Sequence, residues 1–101
     1  MADRFLALKV VSPSATVYEG EVDSLVLKAW DGDVGILPGH APFMTLLGAG
    51  ILRARTGGAE ESFFLVGGVA KVERDRVTVL SEYAGTEPPA GFDPKAWRVD
   101  P

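Results

Sequence analysis

Cysteine, asparagine and glutamine are all missing from this chain of 101 residues, and histidine occurs once. Without cysteine there is no disulfide framework, no thiolate nucleophile and no cysteine-built zinc site, which fits a reducing compartment. The missing amides are compatible with a heat-adapted source, and equally with the codon bias of a GC-rich genome. A surplus of positive charge is also lacking: the formal net charge is −4, and the ten Lys and Arg residues are scattered rather than gathered into a stripe. Nucleic acid is therefore excluded as an expected partner. No apolar run approaches the ~20 residues needed to cross a bilayer, so any membrane association is expected to be indirect, through a partner. Asp3 and Arg4 stand where the apolar core of a signal peptide would begin. Internal repeats and low-complexity tracts are absent too.

What is present is the material of one hydrophobic core. Nearly half of the residues are apolar, and the length suits a single domain. Phe5 to Val11 alternates around Leu6, Leu8 and Val10, as a strand with one face on a core does. Ser12-Pro13-Ser14 breaks it, Thr16-Val17-Tyr18 is β-prone, and Glu19-Gly20 reads as a turn. Val22 to Ala29 alternates again, with Leu25 and Leu27 on one side and Val22, Ser24 and Val26 on the other. Phe43 to Leu47 is apolar and ambiguous by periodicity, and Gly48 and Gly50 close it. Ile51 to Arg55 sets Leu52 and Ala54 on one face, and Thr56-Gly57-Gly58 is a hairpin turn into Ser62 to Val66. After a reversal at Gly67-Gly68, Val69 to Glu73 and Val77 to Leu80 flank the tight polar connection Arg74-Asp75-Arg76.

At least seven short strands separated by turns, with no amphipathic helix before residue 85, predict an all-β fold: an antiparallel β-sandwich over residues 1–84. The expected core is Leu8, Val10, Val22, Val26, Leu65, Val72, Val77 and Val79. Residues 85–101 form a proline-rich linker and short capping tail, because Pro88-Pro89 forbids regular pairing. Asp93 followed by Pro94 suits the start of about one helical turn reaching Trp97, and Phe92 and Trp97 could pin the tail to the sandwich; a frayed terminus is the alternative.

The most unusual stretch runs from Asp31 to Pro42, Asp-Gly-Asp-Val-Gly-Ile-Leu-Pro-Gly-His-Ala-Pro, and packs three glycines, two prolines, two carboxylates and the only histidine together. Asp-Gly-Asp is turn chemistry, and Pro-Gly followed by Ala-Pro fixes two further changes of direction, so a rigid, irregular surface loop is expected. Read as a calcium loop it fails, since Pro42 stands where a bidentate Glu belongs. His40 alone makes no catalytic constellation, and its plain reading is a structural or interface imidazole. The glycines lack both phosphate-binding fingerprints. Glu60 and Glu61 read as solvation of a hairpin. Asp31 and Asp33 are either a solvated turn or a docking tip for a basic partner.

This stretch resembles the signature loop of the epsilon subunit of rotary F-type ATP synthases. Further landmarks follow in order over residues 5 to 84: Val10-Val11-Ser12-Pro13, Val17-Tyr18-Glu19-Gly20-Glu21-Val22, the Leu-x-x-Gly at Leu47 to Gly50, Gly67-Gly68-Val69 and Val77-Thr78-Val79-Leu80. The resemblance implies a flattened sandwich of ten strands in the central stalk of the enzyme, a non-catalytic rotor subunit joining gamma to the c ring and coupling proton flow to ATP synthesis. Carried over residue by residue, it implies gamma-facing positions at Ser12, His40 and Thr45 and c-ring docking by Asp31 and Asp33; because such an interface is built around apolar residues, Phe43, Met44 and Leu46 beside His40 are candidates for its apolar part. Both loop acids are Asp where many members carry Glu, so the reach is shorter by one methylene. Members typically continue into a two-helix hairpin; the tail after Gly85 is too short and too rich in proline for one, so a naturally short form without hairpin-type inhibition or nucleotide binding is expected. No catalytic, metal-binding or cofactor-binding residue is assigned, and the expected place is the cytoplasmic face of a bacterial plasma membrane, as a peripheral part of the complex. Two other readings compete: a small β-sandwich ligand-binding or adaptor module using the Gly-Pro loop as its edge, and a small hydrolase built on His40.

Overall fold

The computed structural model describes residues 4–93, and they form ten strands. These are β1 (Leu6–Ser12), β2 (Ala15–Val22), β3 (Ser24–Ala29), β4 (Gly32–Ile36), β5 (Phe43–Leu46), β6 (Ala49–Thr56), β7 (Ala59–Val66), β8 (Val69–Glu73), β9 (Arg76–Leu80) and β10 (Tyr83–Gly85). They make two five-stranded sheets, one in the order β2-β1-β9-β8-β5 and the other β10-β7-β6-β3-β4. Neighbours are antiparallel except β1 and β9, which run parallel. The expected sandwich is therefore observed, with one parallel pairing that a string of hairpins does not predict.

Inner faces of both sheets supply the core. Seven of the eight expected residues are buried in it: Leu8, Val10, Val22, Leu65, Val72, Val77 and Val79. Val26 is the exception, at 39% exposure, while Leu25 and Leu27 on either side of it are buried. The cause is at Asp23. The chain does not run as one strand from Val22 to Ala29; it leaves the first sheet after Val22, bends at Asp23 and enters the second sheet at Ser24. The bend shifts the inward parity by one residue, so Val22 and Leu25 both face the core and Val26 faces out. Asp23 fixes this crossing, its amide donating to the Arg55 carbonyl at 2.7 Å and its carboxylate accepting from the Gly57 amide at 2.6 Å.

Glu19-Gly20 is not a turn but lies within β2. The Tyr18 ring lies over Gly20: a Cβ on Gly20 would come 3.0 Å from the Tyr18 hydroxyl oxygen. On β10, Tyr83 covers Gly85 in the same way, two residues on. Both glycines sit on edge strands, where an aromatic ring replaces the missing side chain and keeps the strand paired. β10 also carries the sandwich to Gly85, just past the expected boundary. Beyond it, Tyr83 donates its hydroxyl to the Glu87 carbonyl at 2.6 Å, and Phe92 packs edge-on against Phe64 with ring centres 5.3 Å apart. Phe92 thus pins the tail; Trp97 and the expected helical turn lie outside the described residues apart from Asp93.

Tracing strand directions gives the sandwich two ends. The upper end holds the Pro13-Ser14 turn, the Trp30-Asp31 tip between β3 and β4, and the crossings at Leu47-Gly48 and Gly67-Gly68. The lower end holds Asp23, the Gly57-Gly58 turn, the Leu37–Pro42 connection and the Arg74-Asp75 turn.

Candidate functional site

The stretch from Asp31 to Pro42 is not one loop. Its middle, Gly32–Ile36, is edge strand β4, paired in register with β3 from Ala29↔Gly32 to Leu25↔Ile36. A five-residue strand extends ~15 Å, so Asp31 is at the upper end and His40 at the lower. Sequence reading missed this because three glycines and two acids within the stretch disguise an alternation of Val34 and Ile36 toward the interior.

At the upper end the turn itself is Trp30-Asp31, one position earlier than the Asp-Gly-Asp pattern suggests. Trp30 is 45% exposed, and its amide is tied to the Leu46 carbonyl at 3.0 Å. Asp31 projects from the tip, and Asp33 lies two residues on, opposite Lys28. Among the described residues neither carboxylate has an ion pair or a hydrogen bond. Lys28 does not neutralise Asp33 because its stem lies across Gly50 of β6, away from β4; a Cβ on Gly50 would come 2.4 Å from Lys28 Cδ.

Beside this tip, the outer face of the first sheet carries a row that sequence reading passed over. Register sets Val11 against Leu80, Leu80 against Val69 and Val69 against Leu46, four apolar side chains across four adjacent strands. Leu80 is 53% exposed and Leu46 39%, and Met44, on the same face of β5, is 63% exposed. The row spans about 14 Å at ordinary strand spacing. A signal was present in the sequence: Val10-Val11, Val79-Leu80 and Leu46-Leu47 each place two apolar residues side by side, and within a strand only one of the two can face the core. Behind the row the backbone is held by Ser81, a buried hydroxyl lying 2.6 Å from the Tyr83 carbonyl and 3.0 Å from that of Gly67. Gly68 can be nothing larger, since an added Cβ would sit 1.9 Å from the Leu80 carbonyl oxygen.

Of the six residues expected on the gamma side, Leu46 stands in the apolar row and the other five are spread over both ends. Ser12 closes β1 at the upper end, its hydroxyl 3.4 Å from the Ala15 carbonyl across its own turn. Met44 faces outward; Phe43 and Thr45 are half-buried, with Phe43 packed against the core and the Thr45 hydroxyl donating to the Leu46 carbonyl at 3.2 Å. His40 sits at the lower end, its ring 5.1 Å from that of Phe43. Its Nδ1 lies 2.7 Å from the Ala41 carbonyl oxygen. Because a carbonyl only accepts, Nδ1 carries the proton and Nε2 is the ring nitrogen left over. β5 thus links the lower-end histidine to the upper-end apolar row along one edge of the sheet.

Among the described residues no group of three or more His, Cys, Asp or Glu is placed to hold a metal ion, and no helix is long and apolar enough to cross a membrane. Against known proteins, residues 5–87 match the family model for the ATP synthase delta/epsilon chain, beta-sandwich domain. The chain belongs to this family. Curated relatives in the delta/epsilon family include the ATP synthase epsilon chain of a Nostoc cyanobacterium, 44% identical over 77 residues, which are 74% of this chain and 56% of that one. The chloroplastic epsilon chain of Huperzia lucidula is 40% identical over 90 residues, 89% of this chain and 64% of that one. The likeness is to epsilon subunits in particular, and the chain spans between about half and two thirds of their length. Two solved structures share the fold: one chain of the Euglena gracilis mitochondrial ATP synthase OSCP/F1/c-ring assembly, with a TM-score of 0.75 at 23% identity over 79% of this chain and 52% of that one, and one from the Tetrahymena thermophila mitochondrial central stalk and c ring, with 0.67 at 13% over 83% and 68%.

Proposed function

We propose that this epsilon-family chain is a non-catalytic subunit of the ATP synthase rotor that clamps the gamma subunit to the c ring, so that ring rotation driven by proton flow reaches the catalytic head without slippage. The observation that carries the reading is the pairing, at one end of the sandwich, of two unpartnered carboxylates with an outward apolar row. A row of Val11, Leu80, Val69, Leu46 and Met44 is the kind of surface that forms the dry centre of an interface, whereas free acids at a hairpin tip suit a basic loop. The apolar row, with Ser12 and Thr45 at its margins and His40 at the far end of β5, is assigned to gamma; Asp31 and Asp33 are assigned to the c ring. Phe43 acts from behind, bracing the His40 ring rather than meeting gamma itself. This chain would be a peripheral part of the complex, on the cytoplasmic face of the plasma membrane in a bacterium, and it supplies neither cofactor site nor catalytic group. A clamp of this kind buries on the order of 1,000 Å² or more in total. Titration of the chain against gamma from the same organism, read by calorimetry and size exclusion, is expected to give a one-to-one complex, which Leu80→Asp weakens strongly without unfolding the chain. No binding by the folded wild type, alone or with the c ring present, would overturn the proposal.

A further inference from the structure

We infer that Asp75 is a positioning residue: its carboxylate latches the Leu37–Pro42 connection in the form that presents His40, an assignment that rests on the docking role proposed for His40. Two other segments meet on this side chain, and a third contact reaches its backbone. The Gly39 amide donates to Oδ1 at 2.6 Å, and Arg4 Nη2 donates to Oδ2 at 2.6 Å. The carbonyl of the same residue accepts from the Ala7 amide at 2.8 Å. The carboxylate thereby joins the β8–β9 turn to the N-terminal arm and to the connection between the two sheets.

The backbone at this turn indicates that the carboxylate is not there for the turn's sake. Arg74 and Asp75 have φ of 52° and 60°, left-handed values that a two-residue hairpin fills most easily with Asn-Gly or Gly-Gly. Arg74 is held there against its own preference, and Asp75 tolerates the region although glycine would fill it more easily. On the receiving side Gly39 has φ of 89°, and a Cβ there would come 3.3 Å from Arg4 Nη1. The guanidinium therefore lies over the bare Cα of Gly39 while Asp75 takes its amide, and the positive φ favours glycine at this position. One residue on, the His40 amide closes a turn onto the Leu37 carbonyl at 3.1 Å. With Gly39 gripped on one side and Phe43 anchored in the core on the other, His40 has little freedom to leave its place. Hydrogen bonds to a charged acceptor are the stronger kind, so a partly exposed carboxylate suffices for the grip.

The test separates turn stability from loop position. Asp75→Gly suits the left-handed backbone better and removes the carboxylate; Asp75→Asn tolerates the same backbone and keeps an acceptor for Gly39. Each is compared with wild type by thermal midpoint, by the amide signals of Gly39 and His40 in a proton–nitrogen correlation spectrum, and by affinity for gamma. Asp75→Gly is expected to keep or raise the midpoint, to move the Gly39 and His40 signals, and to raise the Kd for gamma about tenfold, the loss of one charge-assisted hydrogen bond. Asp75→Asn is expected to recover part of both losses. A glycine variant whose His40 signals stay in place and whose Kd is unchanged would overturn the inference. Failure of the wild type to bind gamma would instead count against the docking role, with the amide signals still deciding whether the latch exists.

Discussion

Four aspartates divide between the two ends of the sandwich, and they are used in opposite ways. At the lower end Asp23 and Asp75 each accept a glycine amide at 2.6 Å, from Gly57 and Gly39. At the upper end Asp31 and Asp33 accept nothing among the described residues. The ends also differ in what holds the chain there. Crossings at the upper end are stitched by backbone pairs, Trp30 to Leu46, Gly48 to Lys28, Leu47 to Gly68 and Gly67 to Gly48, and by the neutral Ser81 hydroxyl on the Gly67 carbonyl, with no carboxylate of the described residues involved. Connections at the lower end range from the single residue Asp23 to the irregular stretch Leu37–Pro42, and they lean on carboxylates to fix them. A region that satisfies its own backbone can leave its acids facing outward for a partner, while a region with irregular connections spends its acids internally.

Removing what both ends share should give the largest effect. Leu27 is fully buried on β3, the strand that joins the Asp23 crossing to the Trp30-Asp31 tip, and Leu27→Ala is expected to cost about 2–5 kcal/mol in urea unfolding. Next come the free acids. Asp31→Lys is expected to leave stability within about 0.5 kcal/mol, yet to weaken binding of the c ring by tenfold or more and to impair proton-coupled ATP synthesis in the reassembled enzyme. Asp33→Lys should weaken the ring contact similarly and leave stability within about 0.5 kcal/mol, because Lys28 opposite it turns its stem away over Gly50. Normal coupling in both variants would erase the proposed difference between the ends.

Acid sharpens the comparison without mutation. The Gly39 amide, and then Arg4, hold the Asp75 carboxyl below its ordinary pKa. A carboxylate lowered in the folded state stabilises the fold above its unfolded pKa and loses that contribution as pH falls through the folded one. The Gly39 contact should therefore persist at neutral pH and loosen only below about pH 4. The charge of Arg4 also favours the charged form, and burial opposes it. An amide titration in which Gly39 responds below that pH while Gly48 at the upper end, whose amide is held by the Lys28 carbonyl, does not is the expected result. The smallest effect is expected away from both ends: Phe92→Ala removes the ring contact with Phe64, costing about 1 kcal/mol and leaving affinity for gamma unchanged.

The strands were largely legible because their alternation is strong. β1, β6 and β9 show the expected inward residues, and the glycine pairs at Gly57-Gly58 and Gly67-Gly68 do mark reversals. Where reading failed, a local signal was overruled by a distant partner. Glu19-Gly20 looks like a turn until Tyr18 covers the glycine and β1 pairs the strand; Asp31 to Pro42 looks like one loop until β3 draws its middle into a sheet. Of the candidate site, Asp31, Asp33, His40 and Met44 could be singled out by residue type and order. Asp75 could not, because its significance depends on Gly39, and Leu80 offered only the doublet Val79-Leu80, its place in a row depending on Val11 and Val69.

By itself the sequence determined the class of fold, most of the core, the absence of thiol chemistry and the ordered landmarks of the epsilon family, since all of these are carried by composition, period and local order. Only the tertiary structure decided which sheet each strand joined, that the acids and the histidine of one stretch lie at opposite ends, and that an apolar row and an aspartate latch flank them. Register and side-chain contacts across long separations arise when strands distant in the chain pair, and no local pattern encodes them.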